Sequence, residues 1–495
     1  IDDVQDGLQC RINNSTATGV SQLGGAVYEN TNFSSEAARI VLFQVTGSDQ
    51  SAINGVTEMF GQGADFILSN PNGIQVNGGG FINIPRATFT TGTPFLDANG
   101  NLQTLQVSQG HVDIHGFNAN TDYFDIIART MKIHGDLYGG DTETALIAGA
   151  NTVDYSSRVI TGSNPTPTEA SGQVFAIDAA LLGAIRAGSI RLISTEDGVG
   201  VNSNSSMAAT VGDVTITSEG DITYDTIEAN QDINLAAKGD ITQTNYAEAN
   251  GAIAMHATAN IAVTGTISGD SLSQTAGGTI NLDNLVVSMV QDIDINASGE
   301  IVVSNSTMNA GTTLAMTGSS ITSNSNVIAN GQVTIQSTSG NVQSSNRIES
   351  VADQVSLTAS GDVINTGTVL AGTDISATAN GQYINDNGIT QSSGNVTIVS
   401  NDGIANTNGV FWSDGDMLLS QNSDWTTHGM IKTGRDLTIR AITLTNEIDL
   451  VASQNIYLDL SGGLVNTTRN ILAMGDLMVT ANGSVLNTQD MKGNG

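Results

Sequence analysis

From Asp213 to Asp476 the chain returns about every 20 residues to one short pattern: a small polar residue, usually Asp or Asn, and then a stretch whose first and third residues are aliphatic. The register runs Asp213, Asp232, Ala252, Ser271, Asp292, Thr313, Gln332, Gln354, Asp374, Asn395, Asp416, Asp436, Asn455 and Asp476. Pairs such as Val214/Ile216, Ile233/Leu235, Ile293/Ile295, Val333/Ile335, Val396/Ile398, Leu437/Ile439 and Ile456/Leu458 follow the marks. Alternation with period two buries one face of a strand. A helical repeat would need apolar residues three and four apart and good helix formers, whereas these units are built from Thr, Ser, Asn, Gly, Val and Ile. One unit holds too little apolar surface to fold alone, so the strands must stack in register, roughly 4.8 Å per coil, with Val on Ile on Leu. The expected fold is all-β: a parallel β-helix, or solenoid, of about 20 residues per coil, with this region alone extending very roughly 65 Å.

Proline supports a boundary. Pro71, Pro85, Pro94, Pro165 and Pro167 are the only five, and none follows. Because proline cannot donate to a strand ladder, its absence marks an uninterrupted repeat region. Two domains are expected, 1–205 and a repeat shaft over 206–495. The net charge of −33 reflects scarce bases: between Arg191 and Lys432 only Lys238 and Arg347 occur. Nucleic acid and anionic membrane are therefore disfavoured as partners. Cys10 is the only cysteine, which excludes an intrachain disulfide framework or a zinc cluster. No apolar run reaches the 18 or so residues of a membrane span, and no signal peptide is evident. Beginning at Ile1 rather than Met and stopping at Gly495, the chain reads as an excised piece of something longer.

Residues 64–74, Ala-Asp-Phe-Ile-Leu-Ser-Asn-Pro-Asn-Gly-Ile, continue through Val76-Asn77-Gly78-Gly79-Gly80-Phe81-Ile82-Asn83 to Arg86-Ala87-Thr88 and Thr90-Thr91-Gly92. This block resembles the secretion domain of two-partner-secretion exoproteins, the filamentous-haemagglutinin-like adhesins and contact-dependent inhibition proteins of Gram-negative bacteria. Upstream, Asn30-Thr31-Asn32-Phe33 stands where that family carries a second Asn-Pro-Asn-Leu motif, with Thr31 and Phe33 as departures, followed by Ala38-Arg39-Ile40-Val41-Leu42. Thr121-Asp122-Tyr123 with Asp125-Ile126-Ile127-Ala128-Arg129 is similar to the next block, and Ala187 through Val201 to the segment that closes the domain. Four blocks in order over about 190 residues make the match specific. The resemblance implies a right-handed β-helix with an amino-terminal cap and extra-helical hairpins. It also implies recognition by an outer-membrane transporter with periplasmic domains, and a secreted or cell-surface location.

Asn70-Pro71-Asn72-Gly73 also reads as a turn from its residues alone. Proline presets one backbone angle, Asn72 tolerates a left-handed conformation and Gly73 supplies one without steric cost. Asn side chains can satisfy the turn backbone, making the motif a structural lock; direct contact of Asn70 and Asn72 with the transporter is the other reading.

Parallel β-helices also carry polysaccharide lyases and hydrolases. Such enzymes hold anionic sugars with Arg, Lys or calcium beside carboxylates, and this chain offers carboxylates without the bases. Asp213 and Asp232, or Asp416 and Asp436, should lie on adjacent coils, where they would hold calcium or simply accept backbone hydrogen bonds as Asn395 and Asn455 would. His111 and His115 flank a strand-like stretch that sets them roughly 13 Å apart, too far for one metal. No serine stands in a nucleophile elbow and there is no glycine-rich phosphate loop. Trp412, Trp425 and Phe411 are candidates for an aromatic sugar platform. The expectation is a non-enzymatic exoprotein without cofactor or metal, acting as an adhesin or filament-forming rod. Its partners would be the transporter, a receptor or glycan on a host or neighbouring cell, and possibly other copies of itself. The stalk of a contact-dependent toxin-delivery protein is the alternative.

Overall fold

The computed structural model describes residues 2–3, 9–33, 35–163, 174–179 and 183–494. Ile1, Pro165, Pro167 and Gly495 lie outside the described residues. Those residues form strands, turns and loops with no helix, and the chain divides into two compact units, Ile1–Ala259 and Asn260–Gly495.

Every one of the fourteen marks stands immediately before a strand. In the first unit these include Val214–Ser218, Ile233–Ala237 and Ile253–Ala257, stacked parallel with Val214 on Ile233 and Ile233 on Ile253. In the second unit the column runs from Leu272 through Ile293, Leu314, Val333, Val355, Ile375, Val396, Met417, Leu437 and Ile456 to Leu477. The aliphatic pairs are buried as alternation requires: Val333/Ile335, Val396/Ile398 and Leu437/Ile439 are each at most 1% exposed. β-branched and long aliphatic residues suit this position, because each side chain packs on its equivalents one coil before and one coil after.

Two further inward-facing stretches complete each coil, which the marks alone do not announce; they are separate strands from Ile301 on and one continuous strand in coils such as that of Ile280–Met289. The second begins at Ile280, Ile301, Ile321, Val342 and Val363, and the third carries Val287, Met308, Val327, Ile348 and Val369. All ten of these side chains are buried. Three inward-facing columns thus close the core of each coil.

The mark residues have one recurring task. Asp213 Oδ1 accepts the backbone N–H of Asp232 at 2.9 Å, and Asp232 Oδ1 that of Ala252 at 2.8 Å. Asp374, Asn395, Asp436 and Asn455 each accept the N–H of the next mark at 2.7–2.9 Å. Asp and Asn are interchangeable here because either offers the same side-chain carbonyl-type acceptor. The link is made to the following coil, so it ties neighbours together and does not merely shape a local turn.

In the first unit the coils also carry structure outside the solenoid. Thr93–Leu96, Leu102–Gln106, Asn151–Asp154 and Ile160–Ser163 form a four-stranded antiparallel sheet, and Gly19–Val20 pairs with Ala26–Val27. Asp2–Asp3 pairs antiparallel with Cys10 and Arg11 ahead of the first parallel strand. The extra-helical sheet explains strands that read as apolar on both faces: Ile67, Ile127 and Ile147 turn away from the solenoid interior and pack under Leu105, Val107, Val153 and Tyr155. Inside the same coils Phe43, Phe66, Phe81, Phe89, Phe117 and Phe124 form a continuous aromatic stack with ring centroids 5.1–5.8 Å apart. Residue 205 falls within the strand Gly200–Ala209, whose two halves pair with Phe175–Ala179 and Ile185–Ala187.

Candidate functional site

The Asn-Pro-Asn-Gly segment leaves the strand Asp65–Ser69 and enters Ile74–Val76. Asn70 is fully buried. Its Oδ1 accepts the Asn72 N–H at 3.0 Å, while its Nδ2 donates to Asp49 O and Ser51 Oγ, both at 2.9 Å. Gly73 N–H closes the turn on Asn70 O at 3.0 Å. Asn72, half-buried, donates from Nδ2 to Gly47 O at 2.7 Å. The two Asn side chains therefore hold the preceding 47–51 segment against the turn. Gly73 supplies the left-handed conformation of the turn, at φ 116°, where an added Cβ would stand 3.0 Å from His111 O.

The degenerate motif folds the same way. Asn30 Oδ1 accepts the Asn32 N–H at 3.1 Å and Phe33 N–H closes on Asn30 O at 3.1 Å. Asn30 Nδ2 reaches back to Asn13 O at 2.9 Å. Loss of proline at Thr31 and of leucine at Phe33 leaves this hydrogen-bond logic intact, because the two asparagines carry it.

The blocks 64–92, 121–129 and 187–201 meet in one ion-pair frame. Asp125, 1% exposed at its side chain, sits between Arg86, with Nη2 at 3.1 Å, and Arg158, with Nε at 2.9 Å. Arg158 also pairs with Glu143 at 3.0 Å, and Glu143 with Arg191 at 2.8 Å. Arg86 lies over the Tyr155 ring at 4.0 Å, and the Tyr155 hydroxyl donates to Asp65 at 2.9 Å. Burial raises the Asp65 carboxyl above its ordinary range against the opposing pull of Tyr155 and Arg86, and burial likewise pushes up the Tyr155 hydroxyl. Arg129 pairs with Glu196 at 2.9 Å. Since Tyr155 and Arg158 belong to the extra-helical segment, the frame fastens that segment to the coils. Most of these residues stand within the four blocks, but Glu143, Tyr155 and Arg158 lie outside them, and nothing in the sequence signals that they converge.

The other candidates separate. His111 lies 3.4 Å from Asp113, whereas His115 stacks on His134 at 4.9 Å, so the two histidines share no site. Among the described residues no group of three or more His, Cys, Asp or Glu is placed to hold a metal ion. The three-ring platform does not form: Phe411 and Trp425 are buried, and only Trp412 faces outward, with Lys432 Nζ 4.0 Å over its ring. The inward positions of Phe411 and Trp425 follow from the alternation of their strands.

Residues 12–224 match the family described as the TPS secretion domain. The chain is 34% identical over 267 residues to the tRNA nuclease CdiA of Yersinia mollaretii, covering 52% of this chain and 9% of that protein. It is 34% identical over 249 residues to filamentous hemagglutinin of Bordetella pertussis, covering 49% of this chain and 7% of that protein. A crystal structure of a filamentous hemagglutinin secretion domain aligns with 27% identity and a TM-score of 0.38 over 60% of this chain and 87% of that one. The chain thus spans less than a tenth of the length of these two relatives, and the nuclease named in the first is that protein's. With the four blocks, the match over residues 12–224 shows a TPS secretion domain in this part of the chain, homologous to the corresponding regions of filamentous hemagglutinin and CdiA.

Proposed function

We propose that residues 1–205 are the export unit, recognised by the outer-membrane transporter of a two-partner system, and that residues 206–495 present a binding surface outside the cell as an adhesin or filament-forming stack. What carries the reading is the match over residues 12–224 together with the convergence of its blocks on the buried frame around Asp125. In this reading Asn70, Pro71, Asn72 and Gly73, with Asn30, Thr31, Asn32 and Phe33, are paired turn locks that hold the first coils in the form the transporter engages. Repeats whose mark-to-mark hydrogen bonds span 19–21 residues suit a chain that emerges from a pore in order, since each coil adds to the last without closing a long loop.

The test is export in a Gram-negative host carrying the cognate transporter. Removing residues 1–205, or replacing Asn70 and Asn72 together by Ala, should abolish or sharply reduce secretion, whereas deleting several middle repeats should leave it largely intact. Equal loss from the repeat deletion would sink the proposal. The second reading, the stalk of a contact-dependent toxin-delivery protein, is favoured by the CdiA relatives. The intact mass and carboxy-terminal peptide of the native polypeptide decide between them.

A further inference from the structure

The lock asparagines are turned inward. Asn30 and Asn70 spend both ends of their amides on backbone and side chains of the first coils, so a transporter reads a surface that they hold in place. Asn30 is wired to one such surface. Its Nδ2 donates to Asn13 O, and Asn13 Nδ2 donates in turn to Tyr28 O at 3.0 Å, while the Asn30 N–H reaches Ser15 O at 2.8 Å. These bonds close the base of the hairpin formed by Gly19–Val20 and Ala26–Val27. At its tip Glu58, 3% exposed, accepts the Ser21 hydroxyl and the N–H groups of Gln22 and Leu23, the last two at 2.8 and 3.4 Å. A carboxylate this deep is retained where such donors replace its water, so Glu58 fixes the tip from the coil beneath.

The two sides of the hairpin differ. Val27 is buried, and Gly19 lies against Phe60, where an added Cβ would stand 3.2 Å from the ring. Val20 and its cross-strand partner Ala26 are exposed, as is Tyr28 two residues further on. Val20 is 79% and Tyr28 78% exposed, and no large apolar side chain among the described residues is more so. Held outward on a support that a buried carboxylate fixes, this pair gains nothing from the fold itself. Exposed apolar groups on a rigid support, a tyrosine among them, are what a partner buries on binding. The hairpin falls within residues 12–224, the part of the chain that matches the secretion domain, which makes the export machinery that partner.

We propose that the outer face of this hairpin, with Val20 and Tyr28 as its anchors, is the surface by which the outer-membrane transporter recognises the chain, the two side chains entering an apolar recess on the transporter's periplasmic side. The proposal rests on the export reading and sharpens it by naming the contact. Val20→Ser combined with Tyr28→Ser should lower secretion from the transporter-bearing host about tenfold or more, with the urea midpoint of the first unit unchanged. Capture of the purified chain on detergent-solubilised transporter should weaken by a similar factor. Val290→Ser combined with Val351→Ser, which removes two exposed apolar groups from the other unit, should leave both readouts as they are. Undiminished secretion and capture after the changes at Val20 and Tyr28 would overturn the proposal; if replacing Asn70 and Asn72 still stops secretion in the same host, the export reading stands without it. A lowered urea midpoint would overturn it as well, by showing that the pair packs within the native polypeptide.

Discussion

The first coils and the later repeats use one backbone architecture but two ways of holding it together. Around Asp125 the stabilising partners are far apart in sequence: Arg86 and Asp125 by 39 residues, Arg191 and Glu143 by 48, Arg129 and Glu196 by 67, Tyr155 and Asp65 by 90. In the Asn260–Gly495 unit the rungs join residues one coil away, as in Asn365 to Asn385 and Asn446 to Asn466, both 20 apart. Its ion pairs, such as Arg435 with Asp416 and Arg440 with Asp459, are largely exposed. Long-range buried pairs make a region fold or fail as a whole, whereas nearest-neighbour rungs make stability a sum over coils. A domain that must be recognised in one defined form suits the first arrangement, and a region that grows by repetition suits the second.

The largest break in this comparison should come from Asp125→Ala. Two guanidinium groups, Arg86 and Arg158, each only 10–13% exposed, would lose their shared carboxylate. Removing one member of such a buried set costs about 3–5 kcal/mol. Urea unfolding of the full chain should show the transition of the first unit displaced as a block, together with reduced export. A loss confined to the residues touching Asp125, read by hydrogen exchange, would contradict whole-domain cooperativity.

Asn385→Ala sharpens the other side. Asn385 is fully buried; its Nδ2 donates to Asn406 Oδ1, Gly388 O and Val410 O, and its Oδ1 accepts from Asn365 and Thr390. The expected cost is about 1–3 kcal/mol for the groups left unsatisfied. In hydrogen exchange the loss should be limited to the coils beside residue 385, and amides of Val333–Ser337 and Ile456–Leu460 should keep their protection. Uniform deprotection across the unit would show that the repeats are coupled more tightly than nearest-neighbour rungs imply.

Acid should act with opposite sign through particular carboxyls, Asp65 of the first unit against Asp292 and Asp283 of the second. Asp65 has its folded pKa raised, chiefly by burial, so its contribution is fully present below its unfolded value near 3.8 and is lost as pH rises through the folded one. Asp292 is lowered by hydrogen bonds from Thr312 and Thr313, and Asp283 by those from Ser304 and Asn305. Their contributions are present above the unfolded value and are lost as pH falls through the folded one. Lowering pH from neutral toward 3 should therefore speed exchange around Thr312 and Ser304, and Asp65→Asn should reduce the pH dependence of the first unit's stability between the two Asp65 values. Faster exchange at Thr312 on raising pH, after correction for intrinsic rates, would reverse the assignment.

The parallel stack was legible because period and alternation are local properties: every mark from Asp213 to Asp476 precedes a strand. The second and third strands carry the same period at Ile301, Ile321 and Val342 and at Met308, Val327 and Ile348, but they lack a polar mark as regular as the first. The asparagine ladder could have been found at Asn365, Asn385, Asn406, Asn446, Asn466 and Asn487, whose spacing fits the coil with Thr427 in the one gap. The Asp125 frame could not, since nothing local pairs residues 86, 125 and 158. Trp425 misled because an aromatic in a polar stretch looks like surface until its place in the strand alternation is known.

The smallest expected effect concerns the two turns that the sequence presents as one motif kept and one degraded. Thr31 occupies the position of Pro71, in a turn closed by the same pair of bonds, Asn32 N–H to Asn30 Oδ1 and Phe33 N–H to Asn30 O. Thr31 is exposed, so a proline ring there displaces no packed neighbour. If Thr31 holds the backbone angle that proline fixes, Thr31→Pro removes freedom only from the unfolded chain and should stabilise by about 0.4–1 kcal/mol. Pro71→Ala should destabilise by a similar amount, leaving the Asn70 bonds in place. Equal and opposite shifts in the urea midpoint of the first unit would establish the turns as one device used twice. A destabilising Thr31→Pro would show that the upstream turn has diverged in backbone as well as in sequence.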